Sequence, residues 1–214
     1  MTTRFPRGLY GITPEWTDTH RLADAVALAA GHGLRALQLR RKSDSPTQRL
    51  ALAERLRDIC RPAGVAFIIN DDWRLARAVD ADGVHVGRDD GGVAAARAAL
   101  GPDKIVGASC YDSALLARQA LADGADYVAF GAIFPSSIKP EAVRAELSLL
   151  RHVRDEIDAL PQPRPAVVAI GGITPANAGQ VVAAGADAIA LITGLFDAPD
   201  IAAAARDCAR LYPT

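Results

Sequence analysis

Gly124-Ala125-Asp126-Tyr127-Val128-Ala129 and Gly185-Ala186-Asp187-Ala188-Ile189-Ala190 are two copies of one pattern, and Ala81-Asp82-Gly83-Val84-His85-Val86 echoes both. Gly124 and Gly185 follow amphipathic stretches rich in Ala, Leu and Arg, where a helix exit in left-handed conformation favours glycine. An aspartate then leads into a short apolar run. Each copy reads as a helix exit feeding a strand. Gly33 stands in the same position ahead of Leu34.

Working outward from these copies, short apolar runs recur along the whole chain. Candidate strands are Gly8–Thr13, Leu34–Leu39, Val65–Asn70, Gly83–Gly87, Lys104–Ala108, Tyr127–Phe130, Ala166–Ile170 and Ala188–Ile192. They are nearly wholly apolar, as parallel strands buried on both faces must be. Their starts fall roughly 26 residues apart, the size of one βα unit. Helix starts lie between them. Ser45-Pro46-Thr47-Gln48 reads as a capping box with proline in the first turn. Thr174-Pro175 repeats the device, and Asp112 opens another helix. Leu52, Leu56 and Ile59 share one helix face. Eight such units make a single α/β domain over residues 1–214, built as a (β/α)8 TIM barrel. An open doubly wound sheet is the runner-up.

Composition sets the outer bounds. The chain has 214 residues, 50% hydrophobic and 23% charged, which excludes disorder, collagen and coiled coil as whole-chain readings. Folding a chain of this mass buries about 70% of its surface, so the core needs no disulfide or metal. The 24 Lys+Arg against 25 Asp+Glu argue against a nucleic-acid partner. Cys60, Cys110 and Cys208 are odd in number and far apart, with no metal spacing, which suits a reduced, cytoplasmic protein. The N-terminus has no apolar signal region, and no apolar run is long enough to span a membrane. Arg97, Arg118 and Arg206 read as solvated helix faces.

In a barrel of this kind the chemistry sits at the C-terminal ends of the strands. The second strand runs into Gln38-Leu39-Arg40-Arg41-Lys42, cations that can hold a polyanion. The third ends in Asn70-Asp71-Asp72, where one aspartate can cap the next helix while the other offers a hard oxygen ligand. The fourth ends in His85-Val86-Gly87-Arg88-Asp89-Asp90. Asp71 and Asp90 suit Mg²⁺, which takes one or two carboxylates and fills its shell with water and substrate phosphates. His85 reads as a packed strand residue. Ser109, after the fifth strand, can donate to a phosphate, and Cys110 reads as buried filler.

The sixth loop, Gly131–Glu146, is unusually long and carries Ser136 and Lys139, the composition of a lid over phosphate oxygens. Gly171-Gly172 after the seventh strand and Ile192-Thr193-Gly194 after the eighth occupy the usual phosphate position. The residues thus describe two anion sites, a glycine cradle for a monophosphate and a cation–aspartate–Mg²⁺ site for a pyrophosphate. No nucleophile with a paired base is evident. The pattern favours a transferase joining a phosphorylated partner to a pyrophosphate ester.

Taken together, GLYGIT, ALQLRRK, FIINDD, ADGVHVGRDD, GPDKIVGASCYD, GADYVAFGAIFPSSIKP, VVAIGGITPANA and GADAIALITGLF resemble the thiamine phosphate synthase family, in order and over nearly the whole chain. The resemblance implies condensation of 4-amino-2-methyl-5-hydroxymethylpyrimidine pyrophosphate with 4-methyl-5-(2-hydroxyethyl)thiazole phosphate, through a pyrimidine carbocation. It makes Asp71 and Asp90 the Mg²⁺ ligands. Arg40, Lys42, Asn70 and Lys139 become pyrophosphate contacts, with Ser109 nearby, and Gln38 becomes the neighbour of the pyrimidine. Gly171, Gly172, Ile192, Thr193 and Ser136 become thiazole-phosphate contacts. Four positions depart from the family: Arg88 stands for Gln, Tyr111 for His, Ile138 for a hydroxyl residue and Thr193 for Ser. The alternatives are the related thiazole tautomerase, a non-catalytic thiamine-phosphate-binding module and another phosphosugar barrel enzyme. The expected partners are small molecules, with neither nucleic acid nor membrane; a homo-oligomer stays open.

Overall fold

The computed structural model describes residues 2–87, 91–135, 141 and 143–212. Eight strands close into a parallel barrel in sequence order: β1 Gly8–Ile12, β2 Leu34–Leu39, β3 Ala66–Asn70, β4 Gly83–Val86, β5 Ile105–Tyr111, β6 Tyr127–Phe130, β7 Ala166–Ile170 and β8 Ala188–Leu191. The helices that cross between them are α1 Thr19–Ala30, α2 Pro46–Cys60, α3 Trp73–Ala78, α4 Gly92–Leu100, α5 Ala114–Ala122, α6 Leu147–Asp158 and α7 Ala178–Ala183. Short α8 Thr193–Phe196 and then α9 Ile201–Ala209 follow β8. The expected barrel is therefore the observed one, and the open sheet is set aside by the pairing of β1 with β8.

Most expected strand ends hold to within a residue. β5 is the exception, running on to Tyr111, so Ser109 and Cys110 lie inside a strand. The Ser45 capping box on α2 is present in full. Two helix starts shift. Ser113 rather than Asp112 caps α5, because the Ser113 side chain reaches the Leu116 N–H. Thr174-Pro175 opens a turn instead of α7, which begins after Asn177. Gly33, Gly124 and Gly185 adopt positive φ, as a helix exit requires.

Strand alternation sorts side chains into two apolar layers. Leu9, Leu37, Phe67, Val84, Val128, Val167 and Ile189 face the helices. Tyr10, Ile12, Ala36, Ile68, Tyr127, Ala129, Val168, Ala188 and Ala190 fill the barrel, with Phe5 plugging its N-terminal end. Many interior positions are small because two are large. A Cβ at Gly107 would sit within 2.1 Å of the Tyr127 ring carbon Cε1, so β5 carries glycine where that ring lies.

The repeated aspartates now have a physical cause. Asp82, Asp126 and Asp187 each precede an even-numbered strand. Each accepts, through Oδ2, a backbone N–H of the preceding odd-numbered strand: Phe67 at 2.7 Å, Val106 at 2.9 Å and Val167 at 3.0 Å. The repeat is thus a clamp at the N-terminal end of the barrel. Arg97, expected to be solvated, belongs to it. Its guanidinium donates to the carbonyls of Gly124, Gly101 and Lys104 and pairs with Asp126. Arg118 does lie on the surface, paired with Glu156.

Candidate functional site

The interior parity decides which polar groups enter the mouth. Ile68 lies inside, so Asn70, two residues on, lies on the same face. Ile68 is the register partner of Gln38, Asn70 of His85, and Ala129 of Ser109. Gln38, Asn70, His85 and Ser109 therefore share the barrel interior at its C-terminal end. Gln38 Nε2 donates to the Tyr10 hydroxyl at 2.7 Å, and that hydroxyl lies 2.9 Å from the Tyr127 hydroxyl. Tyr127 is 2.9 Å from His85 Nδ1, and His85 Nε2 is 2.8 Å from Ser109 Oγ. Burial pushes both phenols up, so Tyr10 and Tyr127 remain protonated. His85 is thus part of the polar floor of the mouth as well as a packed strand residue.

The cations after β2 divide by direction. Arg41 is buried, held bidentately by Asp44 at 2.7 and 2.9 Å and donating to the Trp16 carbonyl. It shapes the loop. Arg40 is half-buried and pairs with Glu15 at 3.3 Å, while Lys42 is exposed. Glu15 also accepts the Lys42 backbone N–H and so gathers the β1 and β2 loops. The residue pair after β3 divides likewise. Asp72 caps α3 by accepting the Leu75 N–H at 3.0 Å. Asp71 is half-buried with φ of 65°, and its N–H donates to the His85 carbonyl at 2.8 Å. Asp90, the other expected metal ligand, and Arg88 lie outside the described residues, as do Ser136, Ile138 and Lys139. Among the described residues no group of three or more His, Cys, Asp and Glu is placed to hold a metal ion.

Ile170, Gly171, Gly172, Ile173, Ala190, Ile192 and Thr193 line a cavity of about 20 Å³ between β7 and β8, room for one water-sized group. Both glycines have positive φ, 100° and 62°. They also admit the stem of the sixth loop. The Phe134 N–H donates to the Gly171 carbonyl, and a Cβ at Gly172 would sit 2.3 Å from the Pro135 carbonyl oxygen. Asn177, which the sequence reading passed over, holds this turn: its Oδ1 accepts the Thr174 N–H and its Nδ2 donates to the Gly172 carbonyl. Gly172→Ala is therefore expected to cost about 2 kcal/mol or more, from the left-handed backbone and the displaced loop stem. A urea unfolding midpoint checks it.

Glu15, Tyr10, Tyr127 and Asn177 are the residues of the mouth and its floor that sequence reasoning missed. Period-two parity from Ile12 and Ala129 was the signal for the tyrosines. Glu15 and Asn177 act through loop hydrogen bonds that leave no pattern. The cysteines are inert: all three are buried, and burial pushes each thiol up to about 12. No helix among the described residues is long and apolar enough to cross a membrane.

Comparison with known proteins agrees along the chain. Residues 9–195 match the family model described as thiamine monophosphate synthase. A thiamine-phosphate synthase of Bordetella avium is 60% identical over 212 residues, 99% of this chain and 98% of that one. One from Chromobacterium violaceum is 56% identical over 199 residues, 93% of each. The solved thiamine phosphate pyrophosphorylase from Pyrococcus furiosus superposes with a TM-score of 0.82 at 31% identity, covering 97% of this chain and 96% of the other.

Proposed function

The chain belongs to the thiamine monophosphate synthase family, and on that premise we infer that it is a transferase that condenses 4-amino-2-methyl-5-hydroxymethylpyrimidine pyrophosphate with 4-methyl-5-(2-hydroxyethyl)thiazole phosphate. The products are thiamine phosphate and pyrophosphate. The observation that carries this reading is a polar wall and a positive-φ glycine turn that face one mouth. Gln38, Arg40, Lys42, Asn70 and Ser109 stand over β2, β3 and β5, and the glycine cradle of Gly171, Gly172, Ile192 and Thr193 over β7 and β8.

The pyrophosphate end does the first work. As the bond between the pyrimidine methylene carbon and the pyrophosphate oxygen breaks, its electron pair leaves on the pyrophosphate. Arg40, Lys42, Asn70 and Ser109 donate to that growing charge, together with Lys139 of the sixth loop. Donors held in place before the reaction cost no reorganisation while it runs. The methylene carbon is left cationic. The cradle binds the thiazole phosphate through backbone N–H groups of the turn after β7 and the start of α8. The thiazole nitrogen is thereby held against the cation and forms the new C–N bond with its own lone pair. No proton need be removed, which accords with a mouth whose histidine is engaged by Tyr127 and Ser109.

The donors after β3 are hard oxygens, the Asp71 carboxylate and the Asn70 amide, and this set fits Mg²⁺. Asp71, joined by Asp90, would hold the ion. When bound, Mg²⁺ neutralises charge on the departing pyrophosphate. The test mixes purified protein with both substrates in Mg²⁺ or in EDTA and reads thiamine phosphate as fluorescent thiochrome. Product with Mg²⁺ and at least tenfold less with EDTA is expected. Folded protein that makes none with Mg²⁺ overturns the reading.

A further inference from the structure

We propose that Tyr10, Tyr127 and His85 are positioning residues that carry a one-way chain of hydrogen bonds across the barrel, so that pyrophosphate at Ser109 fixes which face of the Gln38 amide meets the pyrimidine. The proposal rests on the condensation reading for the identity of the two ligands. The chain itself rests on four distances between 2.7 and 2.9 Å.

The direction of each bond follows from the one before. Gln38 Nε2 donates to the Tyr10 oxygen. Tyr10 has one hydrogen and gives it to Tyr127. Tyr127 then has one hydrogen and gives it to His85 Nδ1. A neutral imidazole that accepts at Nδ1 carries its hydrogen on Nε2 and donates it to Ser109 Oγ. Ser109 is left with its own hydrogen for an anion in the mouth, and Gln38 with its carbonyl oxygen for a donor there. While the imidazole is neutral, reversal is the only other self-consistent order. Ser109 would then donate downward, and the last hydrogen, on Tyr10, would need the Gln38 carbonyl as acceptor. Gln38 would present its NH₂ to the substrate instead.

The two orders read different ligands. In the first, Ser109 donates to pyrophosphate and Gln38 accepts from the 4-amino group of the pyrimidine. In the second, Ser109 cannot donate to pyrophosphate, and Gln38 suits a 4-oxo pyrimidine. An anion at one wall therefore selects the amino pyrimidine at the other, although β2 and β5 are not neighbours in the sheet. The interior is close-packed around the chain: Phe5 lies 4.2 Å from Tyr127 between ring centroids, and the His85 ring stacks on Tyr127 at 5.5 Å. No link can swing away to another partner without repacking.

The test compares KM for the amino pyrimidine pyrophosphate with the competitive inhibition constant of its 4-oxo analogue. Tyr127→Phe keeps the ring and removes the middle link; Tyr10→Phe removes the link next to Gln38. Each is expected to shrink the preference for the amino compound about tenfold, with KM for the thiazole phosphate unchanged. Ser109→Ala is expected to shrink it as well, which a purely local role for Gln38 does not require. If Tyr127→Phe or Tyr10→Phe folds and lowers kcat, yet leaves the preference within twofold of the parent, the tyrosines only pack and the proposal fails. A parent chain that makes no thiamine phosphate defeats the condensation reading; an active parent with an unmoved preference in the variants defeats the relay alone.

Discussion

Asp71→Asn is expected to lower kcat for thiamine phosphate formation by about 100- to 1,000-fold, the loss that follows removal of one well-placed electrostatic group. It is also expected to raise the Mg²⁺ concentration needed for half-maximal rate. The substitution is chosen for its backbone. Asp71 has φ of 65°, a conformation that Asn tolerates and Ala resists, so the change removes the charge without straining the backbone. The Asp71 N–H would still donate to the His85 carbonyl, keeping the end of β3 on β4. Asp72→Asn is the matched comparison. Its carboxylate caps α3, a task Asn performs nearly as well, so kcat should stay within threefold. Steady-state rates over a Mg²⁺ series separate the two. Should Asp72→Asn lose the activity while Asp71→Asn keeps it, the roles assigned to the pair are reversed.

That pair shows how far the sequence could be read. Two adjacent aspartates after an apolar run already announce a cap and a ligand, because a helix must start there and a strand has just ended at the mouth. Position along the chain could not sort them; the left-handed φ at Asp71 and the Leu75 bond at Asp72 do. Strands were legible for the same local reason, since burial on both faces leaves no polar interruption. What stayed hidden were partners distant in sequence. Arg41 and Arg40 are adjacent and chemically identical, yet one is consumed by Asp44 and Trp16 while the other stands at the mouth. Arg97 looked solvated because Gly124 and Asp126, which it meets, lie beyond another strand and helix. His85 packs in the strand as expected, and its register with Asn70 also puts it beside Ser109. Asp90, Ser136 and Lys139 were legible as polar groups after β4 and β6, and the family resemblance narrows each to one ligand.

Asp187→Ala is expected to cost about 3–5 kcal/mol, the penalty for stranding a buried charge. For a chain of this size that lowers Tm by roughly 6–20 °C. Asp187 is fully buried and accepts from Arg164 at 2.8 and 3.0 Å, from Arg154 at 2.8 Å and from the Val167 N–H. Arg164 is itself 0% exposed and keeps Asp158 on its Nε side at 2.7 Å, but the Nη groups that face Asp187 cannot turn to water when that carboxylate goes. The other two repeat aspartates make the same backbone bond with different partners. Asp126 pairs with Arg97 and Arg4, whose side chains are 20% and 52% exposed and can be rehydrated. Asp82 is exposed, and Phe67 N–H is its backbone bond. Differential scanning calorimetry on the three alanine variants should therefore rank the losses Asp187, Asp126, Asp82, with kcat unchanged in each folded variant because the clamp lies at the end of the barrel away from the mouth. Equal losses would mean that the shared backbone bond, and not the stranded arginine, sets the cost. Removing both charges in Arg164→Met/Asp187→Leu should then recover part of the loss, since the fully buried guanidinium goes with its carboxylate and only the partly exposed Arg154 and the Val167 N–H lose an acceptor. A repeat that is uniform in sequence would thereby be graded in energy, according to whether its arginine can reach water.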